Sequence, residues 1–281
     1  MTVMKRIAAI VACMLGFGLV AGARADIGEA ARKIAEANGD AVVTVQLVIE
    51  TRMSFGGESE KEERKVSAPG VVIDPSGLVV SSLSEIDPTK MLTAFMPDES
   101  DSKFSSEVVE VKIRLADGTE EPADVVLRDL DLDLAFLRPK KAPGQTMKSV
   151  DLSQAASPQL MDELVILQRL GPSAGRCLSA RVERVQAVVT KPRTFYVVDG
   201  DRFGCPAFAA DGRPVGVLVM RSGQSDSRST GLFSMADDVL VTVLPCATIA
   251  KAAQHAKDAP PEKPASKPEP KSAPKAPAKQ K

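Results

Sequence analysis

The chain has 281 residues, 44% of them hydrophobic, and a formal net charge of -1. That length supports a sizeable core in one or two domains, and the near-neutral balance argues against a whole-protein polyanion-binding role. Trp is absent and Tyr occurs once, at Tyr196. The aromatic platforms on which single strands stack are therefore poorly supplied, and no nucleic-acid partner is expected.

The chain opens with a basic pair, Lys5 and Arg6, then an apolar run from Ile7 to Ala23, then the small-x-small site Ala23, Arg24, Ala25. This order predicts a secretory signal peptide over residues 1–25, cleaved after Ala25. The apolar run is short for a membrane span. The expected location is secreted or periplasmic, an oxidising compartment. Cys13 leaves with that segment, so Cys177, Cys205 and Cys246 remain. An odd count allows at most one intrachain disulfide, whose pair the sequence does not choose. The alternative reading has all three as buried small hydrophobes. No Cys or His spacing suits a metal, and no metal or cofactor is expected.

Residues 26–38, DIGEAARKIAEAN, carry apolar residues at helical spacing, and Gly39 stops them. AVVTVQLVIET reads as a strand. From there the chain runs in short β-branched stretches separated by turns, three of which (74–77, 116–118 and 210–212) end in glycine. Many short strands without a βαβ rhythm predict an all-β barrel or sandwich. Residues 246–257 read as a closing helix. The tail, 258–281, is built from Pro, Ala, Lys, Ser and Glu, and is expected to be disordered. Residues 257–281 hold seven Lys against Asp258, Glu262 and Glu269, about +4. Such a tail suits a spacer in weak contact with anionic envelope polymers, or simply a solubilising extension.

Residues 199–208, DGDRFGCPAF, have the outline of a glycine-rich nucleophile turn leading into a strand, yet Phe203 and Cys205 stand where a hydroxyl and a glycine would. Together with GVVIDPSGLVVSSLSEI (70–86) and LADGTEEPADVVLRDLDLDLAFLRP (115–139), the stretch TFYVVDGDRFGCPAFAADGRPVGVLV (194–219) resembles the protease domain of HtrA/Deg-type serine proteases. The closing LVTVLPCATIAKAAQ extends the resemblance to roughly 30–257.

That resemblance implies a chymotrypsin-like double β-barrel over 26–257, with barrels at about 40–142 and 150–245, a short N-terminal helix and a C-terminal helix. It puts Ser84 at the catalytic His position, Asp133 at the catalytic Asp and Phe203 at the nucleophile Ser. Gly204 and Pro206 keep the oxyanion turn, while Asp201 and Cys205 replace its glycines. A serine hydroxyl needs a positioned base, and His serves because it titrates near neutrality. Ser84 cannot be that base, Phe203 has no nucleophilic atom, and the lone histidine is His255. Cys205 is misplaced for a nucleophile. Ser82 and Ser84 are expected to bond local backbone. Asp133 is expected as a solvated or hydrogen-bonded carboxylate on an alternating acidic strand, Phe203 as a plug, and residues 88–107 as a mobile inserted loop.

The expected function is that of a pseudoprotease: a catalytically inactive homologue that binds a protein or peptide as an added strand. The edges implied lie around Phe195–Asp199 and Val217–Ser222, with Phe195, Tyr196, Val197, Val217, Leu218 and Val219 as the peptide-binding residues. Two alternatives are an assembly subunit, with copies of itself or an active paralogue, or a scaffold tethered to the envelope by the tail, and an active serine-type endopeptidase using non-standard residues. No PDZ domain fits within 258–281.

Overall fold

A computed structural model describes residues 26–55, 58–87, 103–222 and 239–260. The expected signal peptide, most of the expected 88–107 loop and all but the first three residues of the expected disordered tail lie outside these residues.

The N-terminal helix α1 (Ile27–Asn38) forms where the periodicity puts it. The Asp26 carboxylate caps it, accepting from the Gly28 N–H at 3.0 Å. It buries Ala31 and Ile34.

The first barrel is closed, in the order β1-β2-β3-β6-β5-β4. Its strands are β1 (Val42–Phe55), β2 (Glu58–Val72), β3 (Val79–Ser82), β4 (Lys103–Arg114), β5 (Glu120–Asp129) and β6 (Leu134–Pro139). One helical turn, α2 (Leu83–Ile86), follows β3. Val43, Val45, Leu47, Val80, Ile113 and Phe136 fill the interior. The glycine-ended turns form as expected, with Gly77, Gly118 and Gly212 all at positive φ.

The second sheet has the order β8-β7-β11-β12-β13-β10-β9. Its strands are β7 (Glu163–Arg169), β8 (Leu178–Arg184), β9 (Ala187–Val189), β10 (Phe195–Val197), β11 (Pro206–Ala209), β12 (Pro214–Ser222) and β13 (Val239–Pro245). The end strands β8 and β9 are separated only by Val185 and Gln186. They are halves of one bent strand, the first half paired to β7 and the second to β10. The sheet therefore curls round on itself through the chain.

Polar contacts join the parts. Arg169 of β7 donates from Nε to the Val42 carbonyl at 2.7 Å and from Nη2 to the Gly39 carbonyl at 2.8 Å. The C-terminal helix α3 (Cys246–Asp258) buries Ile249, Ala252, Ala253 and Ala256. Lys257 pairs with Asp74 at 2.5 Å. Arg138 caps the helix end, donating to the carbonyls of Ala256 at 2.5 Å and Lys257 at 2.9 Å.

Two expectations need correction, and one strand forms where the sequence carries no strand signal. Residues 103–107, expected within a mobile loop, belong to β4 and pair with β1. The charge-rich run that starts β2 pairs with β1 along its whole length, and Lys61 bridges the like-charged partners Glu50 (2.7 Å) and Glu63 (3.4 Å). All three described cysteines are free thiols, but only Cys205 and Cys246 are buried; Cys177 is exposed.

Candidate functional site

The site lies where the end of β3 and the β5–β6 turn of the first barrel meet the β10–β11 turn and β12 of the second. Asp133 ends its turn in the left-handed region, φ 55, which a short polar side chain tolerates better than most. This turns its carboxylate inward. Oδ1 accepts from the Ser84 N–H at 2.8 Å and the Ser84 hydroxyl at 2.6 Å. Oδ2 accepts from the Ser82 hydroxyl at 2.5 Å and, across the barrel boundary, from the Met220 N–H at 2.8 Å. Burial raises the carboxyl above its ordinary range, and the bonds from Ser82, Ser84 and Met220 pull against that rise. Asp133 thus takes the hydrogen-bonded of its two expected forms, but at the end of a turn rather than within a strand, and the hydroxyls of Ser82 and Ser84 bond its carboxylate rather than backbone.

The turn from the second barrel is anchored at Gly204, φ 81. A Cβ there would stand 2.5 Å from the Pro69 carbonyl oxygen and 3.1 Å from the Ser82 nitrogen. Only glycine lets the two barrels approach this closely. The Gly204 N–H donates to the Leu218 carbonyl at 2.7 Å. Phe203 is half-buried and joins neither hydrophobic cluster of described residues, so the expected plug is not packed into a core.

The Phe203 N–H donates to the Glu85 carboxylate at 3.2 Å. Burial pushes Glu85 upward, countered by the Arg202 charge and this N–H. Arg202 Nε lies 3.7 Å from Glu85, and its Nη2 reaches the Ser67 carbonyl at 3.3 Å. Asp201 faces outward, 79% exposed, in an ion pair with Arg181 at 2.6 Å. Cys205 is fully buried behind the turn. Its burial raises the thiol to about 12, and its sulfur lies 3.8 Å from Gln168 Oε1. A thiol held protonated is not a nucleophile. His255 is exposed on α3, and the described residues contain no cluster that could hold a metal.

The sequence-derived peptide edges fit less well. β10 is paired on both sides, with β9 and β13, and Arg221 covers the Phe195 ring at 4.7 Å. Val217 pairs with Pro206 and Leu244. Leu218 bonds Cys205 and Gly204. The side chains of Phe195, Tyr196, Val217, Leu218 and Val219 are buried, and that of Val197 is half-buried. These six residues therefore offer no free edge. Beyond Val219, Met220 to Ser222 pair with β13 alone among the described strands.

Sequence reasoning brought Ser84, Asp133 and Phe203 into one site but missed Glu85, Arg181 and Arg202. For Glu85 a signal existed: a carboxylate directly follows Ser84.

Two β-barrels meeting along a cleft, with a glycine-anchored turn from the second facing a buried aspartate of the first, define the chymotrypsin fold of the serine peptidases. The chain belongs to that class: the trypsin-like peptidase domain family matches residues 68–217, from β2 to β12. No curated protein matches the chain.

Proposed function

We propose that this trypsin-like domain is a catalytically silent member of its family that is exported and binds peptide or protein. The observation that carries the reading is the state of the two reactive positions. Ser84 donates its proton to Asp133 instead of presenting a base, and the Phe203 N–H is already engaged by Glu85. A carboxyl, even one raised by burial, is a far weaker base than imidazole toward a hydroxyl. Peptide binding by strand addition needs only backbone groups; the one-sided stretch Met220–Ser222 offers those that remain once the Met220 N–H is taken by Asp133. The leader-like segment 1–25 supports export, and the lysine-rich tail suits contact with anionic envelope polymers.

The test is a casein assay with a fluorophosphonate label on the chain from Asp26. No turnover and no labelling are expected. Hydrolysis abolished by Asp133→Asn would overturn the reading. The double substitution Ser84→His with Phe203→Ser is expected to stay nearly inert, because Glu85 still holds an oxyanion donor worth about 10²–10³ in rate. Adding Glu85→Val and Asp201→Gly should then raise activity. Robust hydrolysis by the double variant alone would show that Glu85 does not block the site. N-terminal sequencing of the envelope-fraction protein should read Asp26; a retained leader would count against cleavage.

A further inference from the structure

The turn 199–204 is flanked by two guanidinium groups whose hydrogen-bonding capacity the chain itself does not use up. Arg181, on β8, is mostly buried, with only 21% of its side chain exposed. Its Nη1 binds Asp201, but its Nε and Nη2 are sealed from solvent with no acceptor. The nearest carboxylate to that Nε, Glu183, is 4.0 Å away. Nη2 lies over the turn, 2.7 Å from where a Cβ on Gly200 would stand, beside Leu218 and Val241. The absent side chain of Gly200 makes that position possible. Arg202 repeats the pattern: its Nε is buried without a hydrogen bond, since Glu85 at 3.7 Å is too far to accept one. These three are the only buried side-chain polar atoms among the described residues that lack a partner, and they cluster at one turn.

Buried polar groups in native proteins are almost always paired, and a cluster of exceptions asks for a partner. A guanidinium fork is matched by a carboxylate, which takes two parallel N–H bonds. We infer that the turn is a receptor for a carboxylate of the bound peptide, with Arg181 as its principal counter-ion and Arg202 as the second. Glu85 and Asp201 are the chain's own stand-ins, each satisfying its arginine incompletely. This rests on the peptide-binding reading and adds a specificity to it: the ligand carries an acidic side chain or a free C-terminus at this point.

The experiment uses the chain from Asp26 against an array of octapeptides randomised at each position, each made as the C-terminal acid and the amide. Enrichment of Asp or Glu at one position, equal for acid and amide, identifies a side-chain carboxylate. Preference for the acid form identifies the C-terminus. Either supports the inference if Arg181→Gln, with an unchanged circular dichroism spectrum, lowers the preference about tenfold. If that variant does not fold, Asp201→Asn takes its place. It removes an exposed competitor and should tighten acidic peptides about threefold. Binding without acidic preference, or a preference unmoved by the variant used, overturns the inference and leaves the peptide reading standing. An array that binds nothing overturns both.

Discussion

On the first-barrel side of the cleft, Asp133 takes four hydrogen bonds on two oxygens, and the hydroxyls of Ser81, Ser82 and Ser84 all have acceptors. On the second-barrel side, three guanidinium nitrogens lie buried with none. One family site has thus been finished on one face and left open on the other. A fully satisfied buried network rigidifies and specifies a fold, whereas buried polar groups left unpaired are costly and call for an explanation. The contrast assigns structural duty to the aspartate side; the arginine side is the one on which the inferred carboxylate recognition rests.

The largest effect is expected from breaking the finished side. Asp133→Ala strands four donors and removes the bond to Met220 that ties β12 to the first barrel. Urea denaturation should show a loss of about 3 kcal/mol or more, and a loss under about 1 kcal/mol would make the network incidental. Gly204→Ala comes next, at about 2 kcal/mol, since its Cβ meets a backbone oxygen at a positive φ. Gly144→Ala, with nothing within 4 Å, is the control and should stay within about 0.5 kcal/mol.

A third test moves pH. Lys257, with help from Ser76, holds the Asp74 carboxyl at about 2 against an ordinary 3.8. A depressed carboxyl contributes stability that is complete above its unfolded value and is lost as pH falls from 3.8 through about 2. Allowing for partial solvent screening, the contribution is about 1 kcal/mol. Lys257→Met should flatten that part of the stability profile; an unchanged acid limb would show that the pair contributes nothing. The smallest effect belongs to the open side. Asp201→Asn should leave stability within about 0.5 kcal/mol, because the carboxylate is exposed. A larger loss would mean that Arg181 depends on Asp201 for its place.

Much of this was legible in the sequence because the signals were local. The spacing of Ile27, Ala31 and Ile34 gives α1, and the glycines at 77, 118 and 212 give the turns. The pattern from Gly70 to Ser84 gives the strand leading into the site. The rest depended on distance. The charged start of β2 has no apolar alternation and becomes a strand only because β1 lies beside it with a lysine to bridge two glutamates. Asp133 sits in an alternating run that reads as strand, but its left-handed backbone ends a turn. Glu85 and Phe203 are 118 residues apart, and no periodicity connects them. The edges assigned at 195–197 and 217–219 failed for the same reason, since whether a strand has a free side depends on partners elsewhere in the chain.

The backbone at Asp133 has a consequence for how such a protein can change over generations. A residue at φ 55 whose carboxylate joins two barrels has few acceptable replacements, and asparagine is the nearest. Selection for folding alone is then enough to keep this aspartate. Persistence of the residue through descent records what the architecture demands and says nothing of whether a bond is still being cut. Positions 84 and 203 carry no such left-handed backbone. Ser84 bonds the aspartate and Phe203 is half-buried, and substitution at either is expected to be tolerated by the fold far better than at Asp133.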